Sequence, residues 1–261
     1  LTVASIDLQS KRYILDATDP TTPAHIIPPA LVHTRAFLVD RKMPGFFQIP
    51  DNGITESSTI NLMSSIDAAG KLNGEATIYD LGYAKLSRLS EYLHAPKTYG
   101  FKWSSPAMAL VKVDHVEVDG AQGDSSILQT RIGFHGELTS TGGYIPVRYD
   151  LFSEMDQNPF TSELRMSDIN FGSRRSFTLN ADHDLDPSWM VETMPKNLKL
   201  VSPDQSMTLT RLVRQDGQNL SIVLKFECTR TRYLAAEYDE VRGFYRKMVE
   251  VFSEPVMLKK R

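Results

Sequence analysis

Apolar residues recur at every second position through stretch after stretch of this chain, and Gly, Asn and Asp punctuate the stretches. That alternation belongs to antiparallel strands, each burying one face. Ile60, Leu62 and Ile66 share one parity, and beyond the AAGK turn Leu72, Ala76 and Ile78 again fall on one face, so 59–66 and 72–80 are predicted to form a hairpin. In 110–118 the pattern changes parity, from Val111 and Val113 to Val116 and Val118, which predicts a bulge near Asp114 and His115 before a DGAQGD turn. Leu128, Ile132, Phe134 and Leu138 share a face, as do Ile145, Val147, Tyr149 and Leu151. Strands over 206–214 and 219–230 meet at the tight Asp216-Gly217 turn.

Two stretches follow a helical period instead. In 83–93, Leu86, Leu89 and Leu93 fall on one face and Pro96 supplies the stop. In 236–252, Val241, Phe244, Tyr245, Met248, Val249 and Phe252 form a stripe; Glu237, Asp239 and Glu240 suit the start of the helix, and Arg246 and Lys247 lie further along. The expected fold is therefore mainly β: an antiparallel, jelly-roll-like β-sandwich with a C-terminal α-helix and one short internal helix. Proline and turn residues thicken at 19–29 and 156–159, the two candidate boundaries.

Composition narrows the function classes. With 261 residues and 41% hydrophobic content the chain can bury a sizeable core. Its 29 basic and 32 acidic residues are interspersed, so no basic field invites nucleic acid. No apolar run is long enough to span a membrane, and a single cysteine allows no internal disulfide. The chain begins with Leu1 and shows no leader-like segment, which is the look of a chain starting inside a longer protein.

The candidate chemistry is sparse. Cys228 shares its parity with Leu220, Ile222, Leu224 and Phe226, so its thiol is expected to be an inert core group and not a nucleophile. None of the histidines, His25, His33, His94, His115, His135 and His183, shows zinc-site spacing, and the hairpin register should put His115 opposite a residue near 130, apart from His135. Asp182, Asp184 and Asp186 have the opening spacing of a calcium loop, but Pro187 and Thr193 stand where glycine and glutamate are needed, which leaves a solvated acidic turn. No metal or cofactor is expected. Trp103 and Trp189, with Arg174 and Arg175, are candidates for a glycan- or protein-binding face, against the plainer reading of core packing. Asp16, closing YIL before a Thr- and Pro-rich turn, reads alone as a turn residue.

Four runs change that reading: YILDATDP at 13–20, NPFTSELR at 158–165, VETMPKNL at 191–198, and YDEVRGFYRKMVEVFSEPVMLKKR from Tyr238 to the end. Together and in this order they resemble the C-terminal part of bacterial transglutaminase-like proteins, common in Bacteroidetes, whose core is related to papain-like cysteine proteases. The resemblance implies that Asp16 matches the third member of a Cys-His-Asp triad, where the carboxylate orients the imidazole and the imidazole deprotonates the thiol. It places the His and Cys ahead of Leu1. Residues 1–36 would then be the last strands and exit segment of that core, and 37–261 a β-sandwich region with a possible division near 156. The implied function is a non-catalytic region supporting or shaping access to an amide-processing core, without turnover of its own. Its partners would be that core and a protein or peptidoglycan substrate, in the periplasm or outside the cell. A glycan- or protein-binding module of the cell envelope is the alternative.

Overall fold

A computed structural model of the chain describes residues 3–8, 11–16, 22–40, 42–51, 53–101, 103, 111–122 and 126–261. The N-terminal strands are β1 (Ala4–Leu8), β2 (Lys11–Leu15), β3 (Arg35–Leu38) and β4 (Gly45–Gln48). Then come β5 (Thr55–Ile66), β6 (Lys71–Gly82), α1 (Tyr83–His94), β7 (Val111–Asp119), β8 (Ile127–Glu137), β9 (Tyr144–Val147) and β10 (Ile169–Asn170). The chain continues through β11 (Arg174–Leu185), β12 (Trp189–Thr193), β13 (Leu198–Val201), β14 (Met207–Asp216), β15 (Asn219–Cys228) and β16 (Arg232–Tyr233). It ends with α2 (Tyr238–Ser253) and β17 (Val256–Lys260). The mainly β class with a C-terminal and a short internal helix is as expected.

The centre is an eight-stranded sheet in the order β13-β14-β15-β11-β5-β6-β8-β7. All its junctions are antiparallel except one: β5 and β11 run parallel, Thr55 beside Arg174 through to Ile66 beside Leu185. Local patterning cannot announce that junction, because it joins strands more than a hundred residues apart. The predicted bulge is present, as a register shift between Val113 and His115 on β7. Leu110, at the start of that predicted strand, lies outside the described residues, as do residues 17–20 of YILDATDP, residues 19–21 of the first candidate boundary, and Gly123 and Asp124 of the DGAQGD turn.

One face of the sheet is apolar and covered. Ile60, Leu62, Ile78, Ile132, Leu179, Leu224 and Phe226 pack under α2 and a small sheet ordered β12-β17-β9, which contributes Trp189, Leu258 and Ile145. This two-layer arrangement buries the alternating residues of the long strands and leaves Thr59, Asn61, Thr178 and Asn180 toward the other side. Residues before and after 156 share this core. A smaller cluster of Ile14, Ile27, Val32 and Ile49 joins β1–β2 to β3–β4, and the Tyr83 hydroxyl, donating to the Ile27 carbonyl at 2.6 Å, ties that layer to α1.

Both helices differ from expectation in detail. On α1, Tyr83, Leu86 and Leu89 are buried but Leu93, in the last turn, is exposed. On α2 the buried stripe takes Val251 in place of Val249. Asp239 and Glu240 occupy the first turn of α2, but no basic residue occupies its last turn. The positive charge comes from elsewhere in the chain: buried Arg211 of β14 donates to the Val251 carbonyl at 3.0 Å and pairs with Glu254 at 2.7 Å.

Candidate functional site

Asp16 follows the last residue of β2 and is half-buried, with an interaction partner of its own. Its hairpin is a two-stranded sheet, Ala4 opposite Leu15 and Leu8 opposite Lys11. Every residue of β1 is exposed, including Ile6 at 44% and Leu8 at 51%. Between β2 and β4 runs a groove of about 580 Å³ lined by Asp7, Arg12, Ile14, Ile27, Phe47, Gln48 and Pro50. Cysteine and histidine are both missing from that lining.

The other candidates are dispersed. Cys228 is buried, as its parity requires; its thiol donates to the Arg230 carbonyl at 3.2 Å and meets the Tyr233 hydroxyl at 3.3 Å. Burial pushes its pKa up, which disfavours the thiolate that nucleophilic attack would need. His115 lies opposite Gly133, not a residue near 130, because the register running unbroken from Asp119 opposite Gln129 centres the turn near 124; His135 lies opposite Lys112 and bonds Asp114 at 2.7 Å. The three spaced aspartates do not form a turn: Asp182 and Asp184 point from one face of β11 and only Asp186 follows it. Each has its own protein partner, in Ser221, Asn219 and Ser188 respectively. Among the described residues no cluster of three or more metal-ligating side chains occurs.

Neither tryptophan is a platform. Trp189 is buried and its indole N–H donates to the Asp67 carbonyl at 2.8 Å, while half-buried Trp103 lies under the Arg88 guanidinium at 4.3 Å. Arg174 and Arg175 do not act together, since neighbours on a strand point to opposite faces. Arg174 reaches Asp51 beside a groove lined by His33, Arg35, Arg230 and Arg232, whereas Arg175 lies over Phe171 and reaches Glu56 on the covered side.

That covered side holds a cleft of about 460 Å³, walled by the sheet, α1, the 152–159 segment and α2. At the mouth of α1 the chain bends sharply at Gly82, whose φ of 57° and ψ of −127° exclude other residues at little cost. A Cβ there would stand 2.0 Å from the Thr55 carbonyl oxygen. The bend brings α1 back over the end of β6, so that Arg88 approaches Asp80. Asp80 is 1% exposed, and its Oδ2 has no hydrogen-bond partner. The Arg88 Nε is 3.9 Å from that oxygen, close enough for Coulombic attraction and too far for a hydrogen bond. Burial pushes the Asp80 carboxyl above the ordinary carboxylate range, while the Ser58 hydroxyl and Arg88 pull it down.

Arg88 is held by others. It bonds Glu154 closely and Glu91 at 3.4 Å; burial opposes its charge, but these carboxylates and Asp80 prevail and raise its pKa. Across the cleft the Tyr245 hydroxyl, on α2, is buried without a hydrogen-bond partner, and burial pushes its pKa up to about 12 against the pull of the neighbouring Arg175 guanidinium. Sequence reading passed over both groups. Tyr245 merged into the apolar stripe of its helix. Asp80 had a signal, since it shares the core parity of Leu72, Ala76 and Ile78.

Two of the family-like runs, NPFTSELR and the C-terminal one, meet at this cleft. Asn158 accepts from the Phe160 backbone N–H at 2.9 Å and donates to the Arg242 carbonyl at 3.2 Å. Phe160 packs edge-on against Tyr245, with centroids 4.9 Å apart, and the Tyr238 hydroxyl donates to the Ser162 carbonyl at 2.7 Å. NPFTSELR is thus clamped to α2.

With known proteins the likeness is partial. A family described as a domain of unknown function with a solved structure, DUF3858, matches residues 144–258. That range covers NPFTSELR, VETMPKNL and most of the C-terminal run, and it leaves out Asp16. Among solved structures, a protein of Parabacteroides distasonis described as a "putative protease" is similar over 46% of this chain and 24% of its own, at 13% identity and a TM-score of 0.39. The chain spans about a quarter of that protein's length. No curated protein matches.

Proposed function

We propose that this chain is a non-catalytic, β-rich accessory region of a transglutaminase-like protein of the cysteine protease superfamily, supporting or shaping access to a core that bears the Cys and His. The observation that carries this reading is the state of the β1–β2 ribbon, which presents exposed Ile6 and Leu8 on the strand paired with the one that leads into Asp16. Two-stranded ribbons are marginal alone, and an exposed apolar edge strand is a surface for further pairing. Docked against a core, Asp16 would orient an imidazole; alone, it is neither nucleophile nor base and supports no acyl transfer. The match to DUF3858 supports an appended domain, and the envelope location and peptide or peptidoglycan substrate rest on the family resemblance. A second reading, a protein-binding module, is favoured by Phe37 and Phe46, more than half exposed and edge-on at 5.0 Å on β3–β4.

The test compares two polypeptides for peptide hydrolysis and amine incorporation. The 261-residue chain should be inert. The same chain extended by the residues that precede it in its gene should turn over, and Asp16→Asn should lower its kcat by about 10³- to 10⁴-fold. Turnover by the short chain, or indifference of the long one to D16N, would overturn the proposal.

A further inference from the structure

The cleft beneath α1 and α2 joins a charge imbalance to unpaired polar groups. Four carboxylates line it, Glu56, Asp80, Glu91 and Glu154, against two guanidiniums, Arg88 and Arg175. Both guanidiniums are engaged: Arg88 by Glu154, Glu91 and the Trp103 ring, Arg175 by Glu56 and the Phe171 ring. The field left over is negative, which disfavours an anionic ligand. Asp80 Oδ2, the Tyr245 hydroxyl and Arg175 Nε remain without hydrogen bonds, the first two on side chains more than nine-tenths buried. Leaving such atoms unpaired is costly, and a ligand that supplies the missing donor recovers that cost on binding. Arg88 gives its two Nη atoms to Glu154 and Glu91, and its Nε stays 3.9 Å from Asp80 Oδ2.

The remaining wall is apolar. Ile60, Ile78, Phe177 and Met248 line the space beside Asp80, so a fully hydrated small cation would gain little there, whereas an aliphatic or aromatic stem would be desolvated favourably. We propose that this cleft binds a primary amine carried on an apolar stem, its ammonium donating to Asp80 and its stem lying along Ile60, Ile78, Phe177 and Met248. Tyr245 completes the polar end. The site is independent of Asp16 and of any catalytic core, and it would operate in either reading of the function above.

The test titrates the full 261-residue chain with n-hexylamine, hexanoate and hexanol, followed by calorimetry and by amide chemical shifts in NMR. Hexylamine should bind about tenfold or more tightly than hexanoate or hexanol, and its shifts should centre on Ser58, Asp80 and Tyr245. Asp80→Asn should weaken hexylamine by about tenfold, and Tyr245→Phe, which removes one hydroxyl without emptying the core, by severalfold. Hexanoate binding as well as hexylamine would overturn the proposal. So would the absence of hexylamine binding, shifts centred elsewhere, or unchanged affinity in the folded Tyr245→Phe protein.

Discussion

Ser64 and His183 meet across the one parallel junction of the large sheet, the hydroxyl oxygen 2.6 Å from Nδ1 of a fully buried imidazole. The other ring nitrogen, Nε2, is buried without a partner, so a second proton on the ring would be a buried charge with one unpaired N–H. Burial lowers the His183 pKa from 6.5 to about 4, with the Asp182 charge opposing only weakly.

The sign of the pH dependence follows. Between these two values the unfolded chain binds a proton that the folded chain refuses, so the stability contribution is full above 6.5 and falls as pH drops towards 4. The loss from this group approaches about 3 kcal/mol. Urea unfolding of the native chain and of His183→Gln at pH 7, 5.5 and 4.5 should show the variant losing less stability over that interval. Parallel pH slopes would exclude His183 as the source.

Arg211, a fully buried charge, should be costly to remove. It donates to the carbonyls of Lys196 and Val251 and pairs with Glu254, fastening both the VETMPKNL segment and the end of α2 to β14. Arg211→Met should cost about 3 kcal/mol in urea unfolding, because buried carbonyls lose a charged donor. Glu254→Gln, at a half-exposed partner, should cost less than about 1 kcal/mol.

Gly82→Ala should destabilise by more than about 2 kcal/mol, since the added Cβ meets a backbone carbonyl oxygen and the positive φ is unfavourable to alanine. The thermal midpoint reads this directly. If the strand-to-helix bend builds the cleft, the same variant should also disturb the amide shifts of Asp80 and Arg88.

Cys228 should resist alkylation by iodoacetamide in the native state and react at the ordinary rate in denaturant. Its thiol is 1% exposed and burial raises its pKa. Rapid native labelling at neutral pH would contradict its placement on the covered face of β15.

Much of the β architecture could be read from parity alone. The inward set of β15, the 59–66 and 72–80 hairpin, the bulge near Asp114 and the apolar stripe of α2 are properties of neighbouring residues, and burial of one face is a local instruction. The site was less accessible to such reading. Asp80 showed itself only as a charge at a core-facing position, and Tyr245 as one more aromatic in a helix. Arg174 and Arg175 looked like a pair because they are adjacent, although a strand sends neighbours to opposite sides.

The sequence by itself determined which residues alternate, where the chain turns, that Cys228 faces inward and that α2 has one apolar side. The tertiary structure alone decided the parallel meeting of β5 with β11, the use of Arg211 in place of a basic last turn on α2, and the convergence of Asp80, Arg88 and Tyr245 on one cleft. Each of these joins residues distant along the chain. Their energies depend on burial and on which partners arrive, and local periodicity carries neither.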